Sequence, residues 1–480
     1  MTSELRPYAV TRDSGVGWIG AIPGHWRTSR LGYAASLLVP MRDKPKELVG
    51  EIPWVRIEDV SGMYITGSRS GQGVTETTVQ SMNLRVFPVG TVLCSCSCSM
   101  GATAIVGRPL VTNQTFIGVV PRDTLLPEYV YWLLGVSKPH LDQLATGAIQ
   151  QYLSRRDFAS LEVVVPPKAE QEAIVRFLRI VDRRTRRYIS AKQKLIKLLQ
   201  EQKQAVIHQA VTRGLNADVA LKPSGVEWLG EVPKHWEVRK VGAVSTRVTK
   251  GTTPTTLGRG FVDEGVRFVK VESISQDRKV IATMCSFIDL ATDELLTRSR
   301  LRAGDVLGAI AGAIGRVAVV AEGDCPANCN QAVAIISPHG DQVSAQWLSL
   351  VLSSPAVQTY LSTTAVQSAQ ANLSLSDLRQ TQVPLPPRPE QTELERRLND
   401  VAESVNGAIA RVSREIELVK EYRTGLIAAV VTGKVDVRAT AARLPDEVDE
   451  PELRDGADTG EEVEAVHADD LDVVHEEAVT

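Results

Sequence analysis

The chain has 480 residues, 43% hydrophobic and 23% charged, with a formal net charge of −3; that length calls for more than one core, and the composition is ordinary for a globular protein. No apolar run approaches the roughly 20 residues of a membrane span, and the first ten residues lack a signal-peptide core, so a cytoplasmic protein is expected rather than a membrane or exported one. The charge is unevenly placed: from Arg443 onward fifteen Asp and Glu stand against two Arg, and setting that −13 aside leaves +10 for residues 1–442, a balance that suits a phosphate-contacting surface.

Residues 14–32 read SGVGWIGAIPGHWRTSRLG. From Trp18 to Pro166 short apolar stretches are broken by Gly, Pro, Ser and Asn. Segments 52–60 (IPWVRIEDV), 91–99, 103–106, 115–120 and 161–165 have strand character. Helical pattern is confined to 127–135 and 138–145. Cys94, Cys96 and Cys98 alternate with serines, which places them on one face of a strand, and Cys325 and Cys329 are separated by three residues. Neither spacing is that of a structural zinc site, so packed, reduced thiols are expected rather than a metal site or disulfide. Pro166 and Pro167 then stop the last strand and Glu170 sets a negative charge in the first turn of a helix. In that helix Ile174, Val181, Tyr188 and Leu195 recur every seven residues, joined by Phe177, Ala191, Leu198 and Ala205.

The chain then repeats itself. Residues 224–242, SGVEWLGEVPKHWEVRKVG, match 14–32 without a gap at Ser, Gly, Val, Trp, Gly, Pro, His, Trp and Gly. Segment 267–273 corresponds to 54–59, 303–307 to 89–93, Gly315 to Gly101, and Asn330-Gln331 to Asn113-Gln114. VPLPPRPEQTEL at 383–394 matches VVVPPKAEQEAI at 163–174. A second helix follows, with Leu398, Val405, Val412, Val419 and Leu426 in strict heptads, supported by Leu394, Val401, Ala408, Tyr422 and Ala429. A period this long, present twice, describes a duplicated domain with pseudo-twofold symmetry rather than a solenoid. The first helix leaves the first domain for the second, and the second should return, so the pair is expected to run antiparallel. About forty residues at roughly 1.5 Å each make a rod on the order of 60 Å. The expected architecture is α+β: two mixed, β-dominated domains separated by two long helices in an antiparallel coiled coil. The expected boundaries are 1–165, 166–215, 216–385 and 386–440, followed by an acidic tail at 441–480 that lacks aromatics and reads as disordered.

No phosphate loop, dinucleotide turn, amino-methylation motif or H-E-x-x-H helix occurs, and no nucleophile signature accompanies His25 or His235. The repeated Pro-x-His-Trp motif reads as a packed turn, and the chain reads as a binding protein without catalytic or metal residues. For duplex DNA, polar side chains must reach base edges while cations hold phosphates. Arg56, Glu58, Lys270 and Glu272 occupy matching expected strand positions beside Trp54 or Phe268. Asn113, Gln114, Asn330 and Gln331 carry amides able to pair with adenine, and Gln150, Gln151, Gln370 and Asn372 precede the matching Leu-Ser pairs at Leu153 and Leu373. Because these recur in both copies, many must serve the shared framework. Arg176, Arg179, Arg183 and Arg187 lead a basic stripe on the first helix, either a solvated face or a site for phosphates or a partner subunit.

The repeated P-x-H-W entry, the P-P-x-x-E-Q helix starts at 166–171 and 386–391, and the alternation of domain and helix resemble the specificity subunit of type I restriction-modification enzymes. The resemblance covers residues 14 to about 437 and implies a noncatalytic chain with two target recognition domains, at about 26–165 and 236–383, reading the halves of a split DNA sequence. It implies two methylation subunits carrying S-adenosylmethionine and motor-nuclease subunits using ATP and magnesium. The CSCSCS run at 94–99 and the acidic tail depart from the pattern. Two other classes stay open from the residues alone: a self-contained methyltransferase or nuclease with a degenerate site, and a coiled-coil adaptor that binds no DNA.

Overall fold

The computed structural model describes residues 5–41, 44–97, 101–145, 152–216, 218–366 and 372–445. It divides into two compact units, 1–182 with 424–480, and 183–423. Each unit contains a larger and a smaller sheet and two-stranded pairings, the larger sheet having five strands in the first unit and four in the second, built where short β-branched runs meet turn residues.

In the first unit Ala35–Leu38, Phe116–Pro121, Val92–Ser95, Thr103–Val106 and Tyr64–Ile65 form a five-stranded sheet in that order. The first four strands pair antiparallel and the last joins in parallel. Val111–Thr112, Ile52–Val55 and Gly73–Val74 form a second sheet, and Arg27–Arg30 pairs antiparallel with Glu162–Val165. The second unit repeats the plan. Ser245–Lys250, Val333–Pro338, Val306–Ala309 and Val317–Val319 make its larger sheet; Ser286–Ile288, Val266–Val269 and Ala327–Cys329 make the smaller one. Glu237–Lys240 pairs with Gln382–Leu385 as its counterpart does in the first unit.

The long helices run Lys168–Arg213 (46 residues) and Arg388–Val431 (44 residues). Their pairing is antiparallel within each unit. In the first, Ile174, Phe177 and Leu178 share a core with Ile427, Val430 and Val431; in the second, Ile207, Ala210 and Val211 share one with Leu394 and Leu398. Between these, Lys203 Nζ donates to Asn406 Oδ1 at 3.0 Å and Lys192 meets Glu415 at 2.9 Å. As one number rises the other falls. The expected heptad face is therefore covered at its ends, while Tyr188, Leu195 and Leu198 in its middle are exposed.

Three local expectations are corrected. The segments 127–135 and 138–145 are one helix, Pro127–Leu144, with Pro139 inside it; Gly135 lies four residues earlier, where a proline ring crowds the helix, and has open space around its missing Cβ. Segment 52–60 is a strand only to Val55, after which Ile57–Asp59 form a 3-10 turn. The acidic tail does not begin at Ala441: Arg438–Ala442 is helical, and Val437, Ala441 and Leu444 are buried in the first unit's core. Residues 446–480 lie outside the described residues.

Candidate nucleic-acid interface

Parallel strand pairing brings together candidates far apart in sequence. In the first unit Val111 is level with Trp54 and Thr112 with Val55, which carries Asn113 to the level of Arg56 at the end of the sheet. In the second, Phe268 is level with Asn328 and Val269 with Cys329, which sets Asn330 beside Lys270. The Asn330 amide donates to the Val269 carbonyl at 3.1 Å. Each sheet end thus presents a cation, a carboxylate and two amides.

Arg56 and Lys270 stand at the strand exit, each preceding a 3-10 turn, rather than within a strand. Asp59, the buried last residue of that turn, accepts the Arg56 amide at 2.8 Å and the Arg69 amide at 2.7 Å; Ser273 Oγ accepts the Lys270 amide at 3.2 Å in the second copy. Arg56 pairs with Glu58 at 2.9 Å, and Lys270 approaches Glu272 at 4.0 Å. Lys270 Nζ also lies 4.6 Å from the Phe261 ring centre, a cation over an aromatic face. Asn113, half-buried, accepts Thr115 Oγ1 at its Oδ1 at 2.6 Å; Gln114 is exposed, and Gln331, also exposed, accepts Thr253 Oγ1.

Trp54 is not a surface reader. Its ring is 2% exposed and packs with Val74, Leu84 and Val111, so no base can stack on it; Phe268 is buried in the same way. Gln150, Gln151 and Gln370 lie outside the described residues, and Asn372 is exposed. The following Ser154 and Ser374 have a clear framework role as N-caps, each closing a capping box with Asp157 or Asp377.

The helix arginines divide. Arg176 donates to the Leu444 carbonyl, and Arg179 donates to Tyr64 Oη at 2.9 Å with its guanidinium over the same ring. Both are engaged in the first unit's structure. Arg183 is half-buried and Arg187 exposed, and neither is free of interactions. Cys94 and Cys96 are buried, and burial pushes the Cys94 thiol up to about 12. Cys98 lies outside the described residues.

What sequence reasoning missed is the purpose of the two repeated motifs. Glu170, read only as a charge for the helix dipole, accepts Trp26 Nε1 at 2.9 Å and lies 2.5 Å from His25 Nε2; Glu390 accepts Trp236 Nε1 at 3.1 Å and lies 2.8 Å from His235 Nε2. Next to them Gln171 donates to the Pro166 and Thr124 carbonyls at 2.8 Å and accepts the Leu126 amide at 2.8 Å. Gln391 repeats this with Pro386, Gln342 and Ser344 at 2.8, 2.9 and 3.0 Å. P-x-H-W and P-P-x-x-E-Q are the halves of one clamp, fastening the start of a long helix to a recognition unit. The recurrence of both motifs in the same order in each copy was the available signal. Burial works to raise the Glu170 carboxyl, but hydrogen bonds from Trp26, His25 and Tyr8 outweigh it and hold it below the ordinary value.

Two divergent surface sets on one repeated, clamped frame define a duplicated recognition protein. A family model described as the type I restriction modification DNA specificity domain matches residues 39–198 and 233–418, more than half of the chain, and the chain belongs to that family. It is 27% identical over 269 residues to the type I restriction enzyme MjaIX specificity subunit of Methanocaldococcus jannaschii, covering 53% of this chain and spanning 60% of that relative's length. It is also 27% identical over 395 residues to the EcoBI specificity subunit of Escherichia coli, covering 78% of this chain and 80% of that one. A chain from a solved type I restriction-modification system shares the fold, with a TM-score of 0.63 at 16% identity over 85% of this chain and 98% of that one. Among the described residues no helix is long and apolar enough to cross a membrane.

Proposed function

We propose that this chain is the noncatalytic DNA specificity subunit of a type I restriction-modification complex, working in the cytoplasm on double-stranded DNA. The observation that carries this reading is the recurrence, at the end of the smaller sheet in both units, of a cation, a carboxylate and paired amides on an otherwise divergent surface. Arg56, Glu58, Asn113 and Gln114 would read one half of a bipartite target; Lys270, Glu272, Asn330 and Gln331 would read the other. Amides and charged groups of these types discriminate bases by bidentate hydrogen bonding in the major groove. The antiparallel helices act as the spacer between half-sites about one helical turn apart, and as the frame on which two methylation subunits and motor-nuclease subunits dock. Arg183 and Arg187 belong to that docking face or to phosphate contact. S-adenosylmethionine, ATP and magnesium are held by the partner subunits.

Exchange of residues 236–383 for the corresponding domain of another family member tests the reading. Sequencing of methylated sites in cells carrying the hybrid and its methylation partners should show one half of the target changed and the other kept. A hybrid that methylates the original full sequence refutes the modular assignment.

A further inference from the structure

One face of the first unit carries charge that the framework does not use. Arg85, Arg122, Arg155 and Arg156 line a cleft of about 760 Å³ along the Ala35–Leu38 strand, which is the edge strand of the larger sheet. None of the four is buried, no carboxylate lines the cleft, and among the described residues none of the four guanidiniums has a side-chain partner. Four like charges gathered without a counterion repel one another, so the arrangement favours an anion in the cleft. Arg is also the side chain whose planar fork matches phosphate oxygens.

The second unit does not carry arginine at the four matching positions. The capping serines Ser154 and Ser374 align Arg155 and Arg156 with Leu375 and Ser376. The amide contacts Arg122 to Ala34 and His339 to Val244 align Arg122 with His339, and the bridging contacts of Phe87 and Leu301 align Arg85 with Ser299. Of the arginines that the second unit carries nearby, Arg247 meets Asp305 at 2.7 Å, Arg300 meets Asp293 at 2.7 Å, and Arg379, at the position matching Ala159, donates to the Val248 carbonyl at 2.6 Å. The cationic cleft is therefore a property of one recognition unit and not of the shared plan.

We propose that the Arg85, Arg122, Arg155 and Arg156 cleft holds backbone phosphate of the bound duplex, anchoring the half-site read by the first unit through an electrostatic contact that the second unit lacks. The proposal rests on the reading of the chain as a DNA specificity subunit. Phosphate contacts add affinity without sequence information and release counterions, so each adds about 0.9 to the slope of log K against log salt.

The test uses the full chain assembled with its methylation subunits, and duplexes with and without the target. Arg155→Gln/Arg156→Gln, Arg85→Gln/Arg122→Gln and the quadruple variant are compared with the quadruple Arg→Lys variant and with Arg239→Gln as an exposed control outside the cleft. The expected result is a salt slope lowered by about one for each phosphate no longer held, with affinity falling alike on target and non-target duplexes. The methylated sequence should be unchanged, the Lys variant should retain most of the slope, and the control should match the parent. A parent complex that binds its target normally while both double variants keep its affinity and slope overturns the cleft assignment and leaves the functional reading standing. A change in the methylated sequence also overturns it, because the arginines would then be reading bases. A parent complex that does not bind duplex DNA overturns both. Since these guanidiniums have no side-chain partner among the described residues, the double variants should keep the parent's thermal midpoint; loss of folding in both would show that the arginines serve the framework and overturn the proposal.

Discussion

The two clamps are one motif in two settings. Glu390 takes Trp236 and His235, and its side chain remains 33% exposed. Glu170 takes Trp26 and His25 and also accepts Tyr8 Oη at 2.9 Å, while Arg438 approaches it at 3.6 Å; its side chain is 9% exposed. Tyr8 stands edge-on to Trp26 and Arg438 lies over the Tyr8 ring. The segment after the second long helix completes this layer through a bridge between Asp436 and Arg6 and through the buried Val437, Ala441 and Leu444. The repeat supplies the connection in both units; only the first seals it, using distant parts of the chain. Equal motifs therefore do not imply equal stability.

The most severe way to break the comparison is to remove the seal. A chain ending at residue 433 loses the burial of Val437 and Leu444, each worth about 1.5–3 kcal/mol, as well as the Asp436 bridge. Hydrogen exchange should show the first unit opening and the second unchanged, whereas a chain ending at residue 445 should match the parent. Equal opening of both units would contradict the separate roles. Next, Glu170→Ala strands the buried donors of Tyr8 and Trp26 and should cost about 3–5 kcal/mol in the first unit. Glu390→Ala should cost about 1–3 kcal/mol in the second, where water can reach the freed groups. Denaturant unfolding followed by exchange in each unit ranks the two, and a reversed order would sink the argument from burial.

Acid should sharpen the same contrast. The Glu170 carboxyl is held below its ordinary value in the folded chain, so its stabilisation is complete above the unfolded value of about 4.3 and is lost as pH falls through the lower folded value. Glu170→Gln should flatten the acid limb of the first unit's unfolding midpoint between about pH 5 and 3, read from thermal scans at each pH. An unchanged limb would assign acid lability elsewhere. The smallest effect belongs to the helix surface: Lys192→Ala removes a solvent-accessible pair between the half-buried lysine and Glu415 and should leave both midpoints unmoved.

Much of this plan was legible because it is periodic or repeated. Heptads announced the helices, and chain order gave their direction. The exposed positions within those heptads were not legible: spacing marks a face but not how much of it a single neighbouring helix covers, and Tyr188, Leu195, Leu198 and Tyr422 remain open. The site was legible in residue type and in register between copies. Its assembly depended on parallel pairing between strands nearly sixty residues apart, which no local pattern encodes. Trp54 misled because an aromatic beside polar residues reads alike whether its ring faces solvent or core. The clamp was visible as conspicuous repetition, yet a carboxylate near a helix start has a sufficient local explanation in the helix dipole. Its contact with a tryptophan 144 residues away needed the fold.

The sealing of the first unit by residues 434–444 has a consequence for biosynthesis. The ribosome must make all of 183–423 before that piece emerges, a delay of roughly ten to fifty seconds at about 5–20 residues per second. The later-coded unit can thus close first, while Trp26, Tyr8 and their neighbours await the last part of their core. The nascent chain's exposed apolar surface belongs to its earlier half, where chaperone protection would matter most.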